Sequence, residues 1–265
     1  MPPFRHALRM SFDTAKAVLA KSFPEHKAFP SSKFVTEANN VLMARGYSKE
    51  NTLFASSCCS DEINRLLDYQ MNSWGEHFQL GGLAGFPFVG RTGFAAYQSH
   101  MPEKDGRLFI MCAAHVGVSR AGNLGYCNRP GMESESKACG SALGAYSHLL
   151  ENNGCDGDGT AAEALAVHDL QQHLITRLVK KHFDDIKKAD DPIAKLSLVV
   201  AEENYNEVCA IIPPDYDRSE VAILAGLQVN TDTEVDDFFI PLHFKIRGKD
   251  GAYQDVFGEL MSKLE

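Results

Sequence analysis

The run Leu108-Phe-Ile-Met-Cys-Ala-Ala114 carries no charge and stops at a histidine, His115. An apolar stretch this short, closed by a polar residue, reads as a buried strand, because core helices need longer windows at helical spacing. A buried strand needs cover, and the flanking sequence supplies helices for it. Residues 32–44 place Phe34, Ala38, Val41 and Leu42 on one stripe and end before Gly46, which predicts a helix. Residues 51–59 are strand-like and close on small polar residues, and residues 61–74 repeat Ile63, Leu66, Leu67, Gln70 and Trp74 at helical spacing.

Residues 81–93 shift to Gly, Phe and Pro and are expected to form a loop that hugs a site, since glycine lets a backbone approach a ligand closely. A helix is expected over 138–150, two long amphipathic helices over 160–187 and 192–211, strands over 220–230 and 238–247, and a last helix over 253–264. Strands alternate with helices through most of the chain, so the predicted class is α/β, a central sheet flanked by helices. No linker, low-complexity tract or internal repeat divides it. A single domain over 29–265 is expected, preceded by an extension over 1–28. That extension sets Arg5, Arg9, Lys16, Lys21 and Lys27 against Asp13 and Glu25. It reads either as the remnant of a targeting peptide or as an arm forming an amphipathic surface helix.

Composition narrows the functional classes. At 265 residues and 44% hydrophobic content the chain supports a substantial core. Its net charge of −9 argues against a surface that tracks phosphates, so no nucleic-acid partner is expected. No apolar run approaches the roughly 20 residues that span a bilayer, so no membrane span is expected. Seven cysteines without a hydrophobic signal segment point to reduced thiols rather than a secreted disulfide framework.

Three residues sit at a strand end or a helix start, where open α/β sheets place their ligands: Cys59, His115 and Cys139. Two cysteines and a histidine are a catalytic zinc set, with the fourth position left to water or substrate. Each has a plainer alternative. Cys112 and Cys209 read as core fillers, and Cys127 and Cys155 as loop thiols. Successive strand residues point to opposite faces, so only one of Cys58 and Cys59 can aim at a shared centre, and periodicity favours Cys59. Asp61, two residues past Cys59, fits a cap or first-turn acid for the following helix.

Six segments in order carry a resemblance: Ser56-Ser-Cys-Cys-Ser-Asp-Glu62, Gly85-Phe-Pro-Phe-Val-Gly-Arg-Thr-Gly-Phe94, His115-Val-Gly-Val-Ser119, Ala138-Cys-Gly-Ser-Ala-Leu-Gly-Ala145, Asp169-Leu-Gln-Gln-His173 and Asp237-Phe-Phe-Ile-Pro-Leu242. Over residues 29–256 the chain resembles the limiting-CO2-inducible protein B family, the theta-class carbonic anhydrases, similar in fold to the beta class. The resemblance implies a beta-carbonic-anhydrase-like sheet, a lyase that hydrates CO2 reversibly to bicarbonate, a homodimer, and a CO2-concentrating role. In algae that role belongs to the chloroplast, in the stroma or around the pyrenoid, and in bacterial relatives to the cytoplasm.

It also implies that Cys59, His115 and Cys139 bind Zn2+ and that Asp61 is catalytic. Beta-class sites usually hold that aspartate with an arginine two residues later, where this chain has Ile63. Arg65 is the favoured replacement, with Arg91 the other candidate. Because two thiolates offset the metal's charge, such a site acidifies its water less than a three-histidine site, and activity is expected to rise toward alkaline pH. Leu83, Phe86, Phe88 and Phe94 are candidates to line a slot for apolar CO2. Two other readings stay open: a non-catalytic zinc-bearing subunit of a CO2-concentrating complex, and a thiol hydrolase with Cys59 as nucleophile and His115 as base.

Overall fold

The computed structural model describes residues 11–60, 62, 64–157, 159–232 and 235–265. In chain order the elements are α1 (Phe12–Ser22), β1 (Phe29–Pro30), α2 (Ser31–Met43), β2 (Thr52–Cys58), α3 (Arg65–Trp74), β3 (His77–Gln79), a 3-10 turn (Leu83–Gly85), α4 (Gly90–Ser99) and β4 (Arg107–Gly117). There follow β5 (Tyr126–Cys127), β6 (Ser136–Lys137), α5 (Gly140–Glu151), α6 (Ala161–Ala166), α7 (Leu170–Lys181), α8 (Phe183–Lys188), α9 (Pro192–Ile211), β7 (Val221–Asn230), β8 (Phe238–Arg247), β9 (Tyr253–Asp255) and α10 (Phe257–Leu264).

Seven strands form one sheet in the order β1-β8-β7-β4-β2-β3, with β9 paired to β8, and β5 and β6 make a separate small hairpin. The pairs β2–β3, β2–β4 and β4–β7 are parallel, and β8 joins antiparallel to β7. The apolar run that ends at His115 is therefore the middle of the sheet, buried on both faces as the continuous hydrophobicity requires. On one face Phe109, Met111, Ala113, Ala222 and Leu224 pack against α2, α3 and α10. On the other, Ile110, Cys112, Ile223 and Ala225 meet residues of α4 and α9, and Ala114, Val116, Leu227 and Val229 meet residues of α5, α7 and α9. Residues of α1 belong to this last cluster through Ala15 and Leu19, followed by Phe23.

Three sequence expectations give way here. Residues 160–187 do not form one helix. His168 takes a left-handed φ of 62° and ends α6, and His182 leaves helical geometry to pair its Nε2 with Glu203 of α9 at 2.7 Å. Apolar spacing runs unbroken through both points because Leu165 and Val167 keep the pattern while lying exposed. The expected loop over 81–93 is shorter, since α4 begins at Gly90. The expected helix over 253–264 begins as an edge strand, with Asp255 paired to Lys245, before α10 takes over.

Candidate metal centre

Parallel strands bring their C-terminal ends to one rim, and that rim is where an open α/β sheet accepts ligands. Cys59 is the first residue past β2, His115 lies near the end of β4, and Cys139 is the residue before α5. All three are buried, at 2%, 2% and 4% exposure.

His115 is held in one tautomer. Its Nδ1 lies 3.0 Å from Oδ1 of Asn230 at the end of β7, so Nδ1 carries the hydrogen and donates it, and the lone pair is on Nε2. His115 and Cys139 line one small cavity of about 10 Å3 together with Ala84, Ala142, Leu143 and Leu196. That is room for roughly one water centre in an otherwise apolar wall. The Cys139 Sγ lies 3.0 Å from Ser141 Oγ, and Gln172 of α7 donates to the Ser141 carbonyl at 3.0 Å. Cys58 and Cys59 diverge as the pleat demands. The Cys58 thiol turns to the Met111 carbonyl at 3.8 Å inside an apolar cluster, where burial pushes its pKa far up. The Cys59 thiol faces the Asn64 side chain at 3.6 Å.

The glycine-rich turn is pressed onto this rim. Gly85 has φ +84°, and a Cβ on it would sit 2.4 Å from the Ala113 carbonyl, so no other residue fits without a shift. Ser57 Oγ donates to the Gly85 carbonyl at 2.9 Å, Asn204 Nδ2 to the Ala84 carbonyl at 2.9 Å, and Leu83 N to Gln171 Oε1 at 3.0 Å. The turn thus closes the cavity from above β4.

Two sulfurs and one imidazole nitrogen are the donor chemistry that zinc takes, and the tautomer of His115 presents the required lone pair. Among the described residues, no group of three His, Cys, Asp or Glu side chains is gathered closely enough to hold a metal ion. Asp61, expected to stand beside the centre, lies outside the described residues, as does Ile63. Arg65 pairs with Asp237 and donates to the carbonyl of Val235 at 3.0 Å, which ties the start of α3 to the turn before β8. Burial raises the Asp237 carboxyl above its ordinary value against the opposing pull of Arg65 and Thr231. Arg91 is exposed on α4.

Of the apolar candidates, Phe94 belongs elsewhere: it packs edge-on to Tyr216 at 5.3 Å in the cluster with Tyr97. Phe86 is in the cluster that contains Cys139, with Leu83 and Phe88 packed against it. Cys127, expected in a loop, is fully buried in β5, its thiol 3.7 Å from Glu62 Oε2. Glu62 in turn pairs with Arg129, joining the β5–β6 hairpin to the segment after Cys59. Sequence reasoning overlooked Asn230 and Gln228. Their signal was present, two amides two residues apart in the otherwise apolar Val221-Ala-Ile-Leu-Ala-Gly-Leu-Gln-Val-Asn230.

Comparison with known proteins agrees with this architecture. The family model of the limiting CO2-inducible proteins B/C beta carbonic anhydrases matches residues 28–248. The crystal structure of PtLCIB4, a homolog of the limiting CO2-inducible protein LCIB, is similar at 32% identity, with 91% of this chain and 99% of that chain covered and a TM-score of 0.81. A histidine-to-alanine mutant of PtLCIB4 gives 31% identity, coverages of 92% and 98%, and a TM-score of 0.81. LCIB itself shares the fold at 20% identity, coverages of 89% and 96%, and a TM-score of 0.66. No curated protein sequence matches significantly.

Proposed function

The chain belongs to the limiting CO2-inducible protein B/C family of beta carbonic anhydrases, and from that premise we propose that it hydrates CO2 reversibly to bicarbonate at a zinc ion held by Cys59, His115 and Cys139. When bound, zinc supplies the Lewis acidity that makes water a nucleophile near neutral pH. The observation that carries the reading is that His115, its Nδ1 3.0 Å from Asn230 Oδ1, and Cys139 are both buried residues bordering one small, mostly apolar cavity at this rim.

The chain's own residues have separable tasks. Asn230 orients His115 and keeps its Nε2 unprotonated. Ala142, Leu143, Ile193, Leu196 and Val200 offer an apolar wall that suits an uncharged, quadrupolar gas better than a charged clamp would. The glycine turn over β4 and the buried positions of Cys59 and Cys139 keep bulk water from the thiols. We assign Asp61 the task of accepting a hydrogen bond from the attacking water. A homodimer working in inorganic-carbon supply completes the proposal.

A non-catalytic zinc-bearing subunit is the second reading; among the described residues the Arg65 guanidinium bonds Asp237 and the backbone carbonyls of Asp232 and Val235. Protein purified under reducing conditions is expected to contain zinc, to hydrate CO2, to lose that activity to a chelator and to regain it with zinc. His115→Ala is expected to lose both metal and activity. Zinc without turnover would select the second reading. Activity indifferent to chelation would overturn both and favour thiol chemistry at Cys59.

A further inference from the structure

Gln228 is 1% exposed, yet neither its amide nitrogen nor its carbonyl oxygen has a hydrogen-bond partner among the described residues. The other buried amides are less deprived. Asn39 still accepts from Trp74 Nε1 at 3.0 Å, and Asn204 still donates to Ala84. Each unpaired buried polar group costs about 1–3 kcal/mol. In the middle of the sheet, a leucine would fill the same space without that cost.

The fold states where this amide stands. Gln228 is the register partner of His115 across the parallel β4–β7 pair, and register partners stand on the same face. Asn230, two residues on and so on that face too, agrees through its bond to His115 Nδ1. On the opposite side the register partner is Phe239. Its ring leans over Gly226, where a Cβ would lie 2.5 Å from it, and stacks on Phe34 at 4.1 Å. The aromatic side chain is thus drawn toward the apolar layer under α2, and the polar neighbour that Gln228 keeps on its own row is His115.

We propose that Gln228 is a bicarbonate-binding residue of this site, its Nε2 donating to an unprotonated oxygen of the anion and its Oε1 accepting from the C–OH group. This rests on the reading of the rim as a CO2-hydrating centre. The chemistry selects the ligand. A primary amide places a donor and an acceptor side by side, and bicarbonate presents an acceptor and a donor across one carbon, whereas CO2 offers acceptors alone. Gln228 therefore recognises the hydrated form and leaves the apolar cavity to the gas.

The test compares zinc-loaded wild type with Gln228→Leu, and with Gln228→Met in case the branched side chain does not pack. Two quantities are read: the rise in Tm on adding sodium bicarbonate, and KM for bicarbonate in the dehydration direction. In buffer without bicarbonate the variants are expected to melt at or above the wild-type Tm, because an unpaired buried amide has been removed. The bicarbonate-induced rise is expected to shrink and KM to increase about tenfold, the equivalent of one hydrogen bond. An unchanged Tm response and KM in a folded variant would overturn the inference while leaving the enzyme reading intact. Wild type that responds to bicarbonate through Gln228 but does not hydrate CO2 would remove the enzyme reading and keep the inference. Wild type with neither response nor turnover removes both.

Discussion

The two ends of the parallel strands differ in almost every respect except position in the sheet. At the N-terminal end, a cleft of about 670 Å3 is lined by Met101, Glu103, Arg107, Arg218, Glu220 and Lys249, among others. Its charges answer one another: Arg107 pairs with Glu220, at 27% and 39% exposure, and lies over the Tyr47 ring at 4.8 Å. At the C-terminal end the cavity holds about 10 Å3, and its polar groups are buried, directed and few. Of these two cavities, the larger lies at the end opposite the proposed zinc centre. Solvated ion pairs of both signs give little selectivity and little energy, whereas an imidazole fixed by a buried amide can act on a specific atom.

That contrast can be broken or sharpened by substitution. The largest effect is expected from Asp237→Asn, which leaves the part-buried Arg65 facing a neutral partner at the C-terminal rim of the sheet. A loss of about 3 kcal/mol in urea unfolding is expected, in line with other broken buried pairs, and a loss near zero would mean that the rim is not held by this bond. Asn230→Ala comes next: it frees the His115 ring, and zinc affinity measured against a competing chelator is expected to fall about 10–100-fold with the fold intact. Ala142→Val narrows the cavity; about 1 kcal/mol of overpacking and a raised KM for CO2 are expected, and an unaltered KM would place the gas elsewhere. The smallest effect belongs to the opposite end. Glu220→Gln is expected to cost under about 1 kcal/mol and to leave CO2 hydration untouched, and a large loss of activity there would reverse the comparison.

The central strand through His115 was legible because seven apolar residues in a row have only one comfortable place in an α/β sheet. Both α2 and α9 were legible for a similar reason, since their apolar spacing has a single period and a clear stop. The helix over 160–187 was misread because exposed Leu165 and Val167 imitate a buried stripe, and the break is set by His182 reaching Glu203 of α9. Phe94 looked like a wall of the site because it closes the glycine-rich segment, but one turn of α4 carries it to Tyr216. Arg65 was singled out by spacing from Asp61, which lies outside the described residues; its bond to Asp237, 172 residues away, could not be seen in the sequence.

The sequence by itself determined the alternation of strand and helix, the family, and the identity of the thiols and imidazole at element ends, because periodicity and residue type are properties of neighbours along the chain. The tertiary structure alone decided that Asn230 sets the His115 tautomer, that Gln228 stands beside it with no hydrogen-bond partner among the described residues, and that Asp237 takes Arg65. Those are contacts between strands and turns joined only by the register of the sheet. A polar residue's role depends on what it meets after burial, where an unmade hydrogen bond costs at least as much as a made one gains.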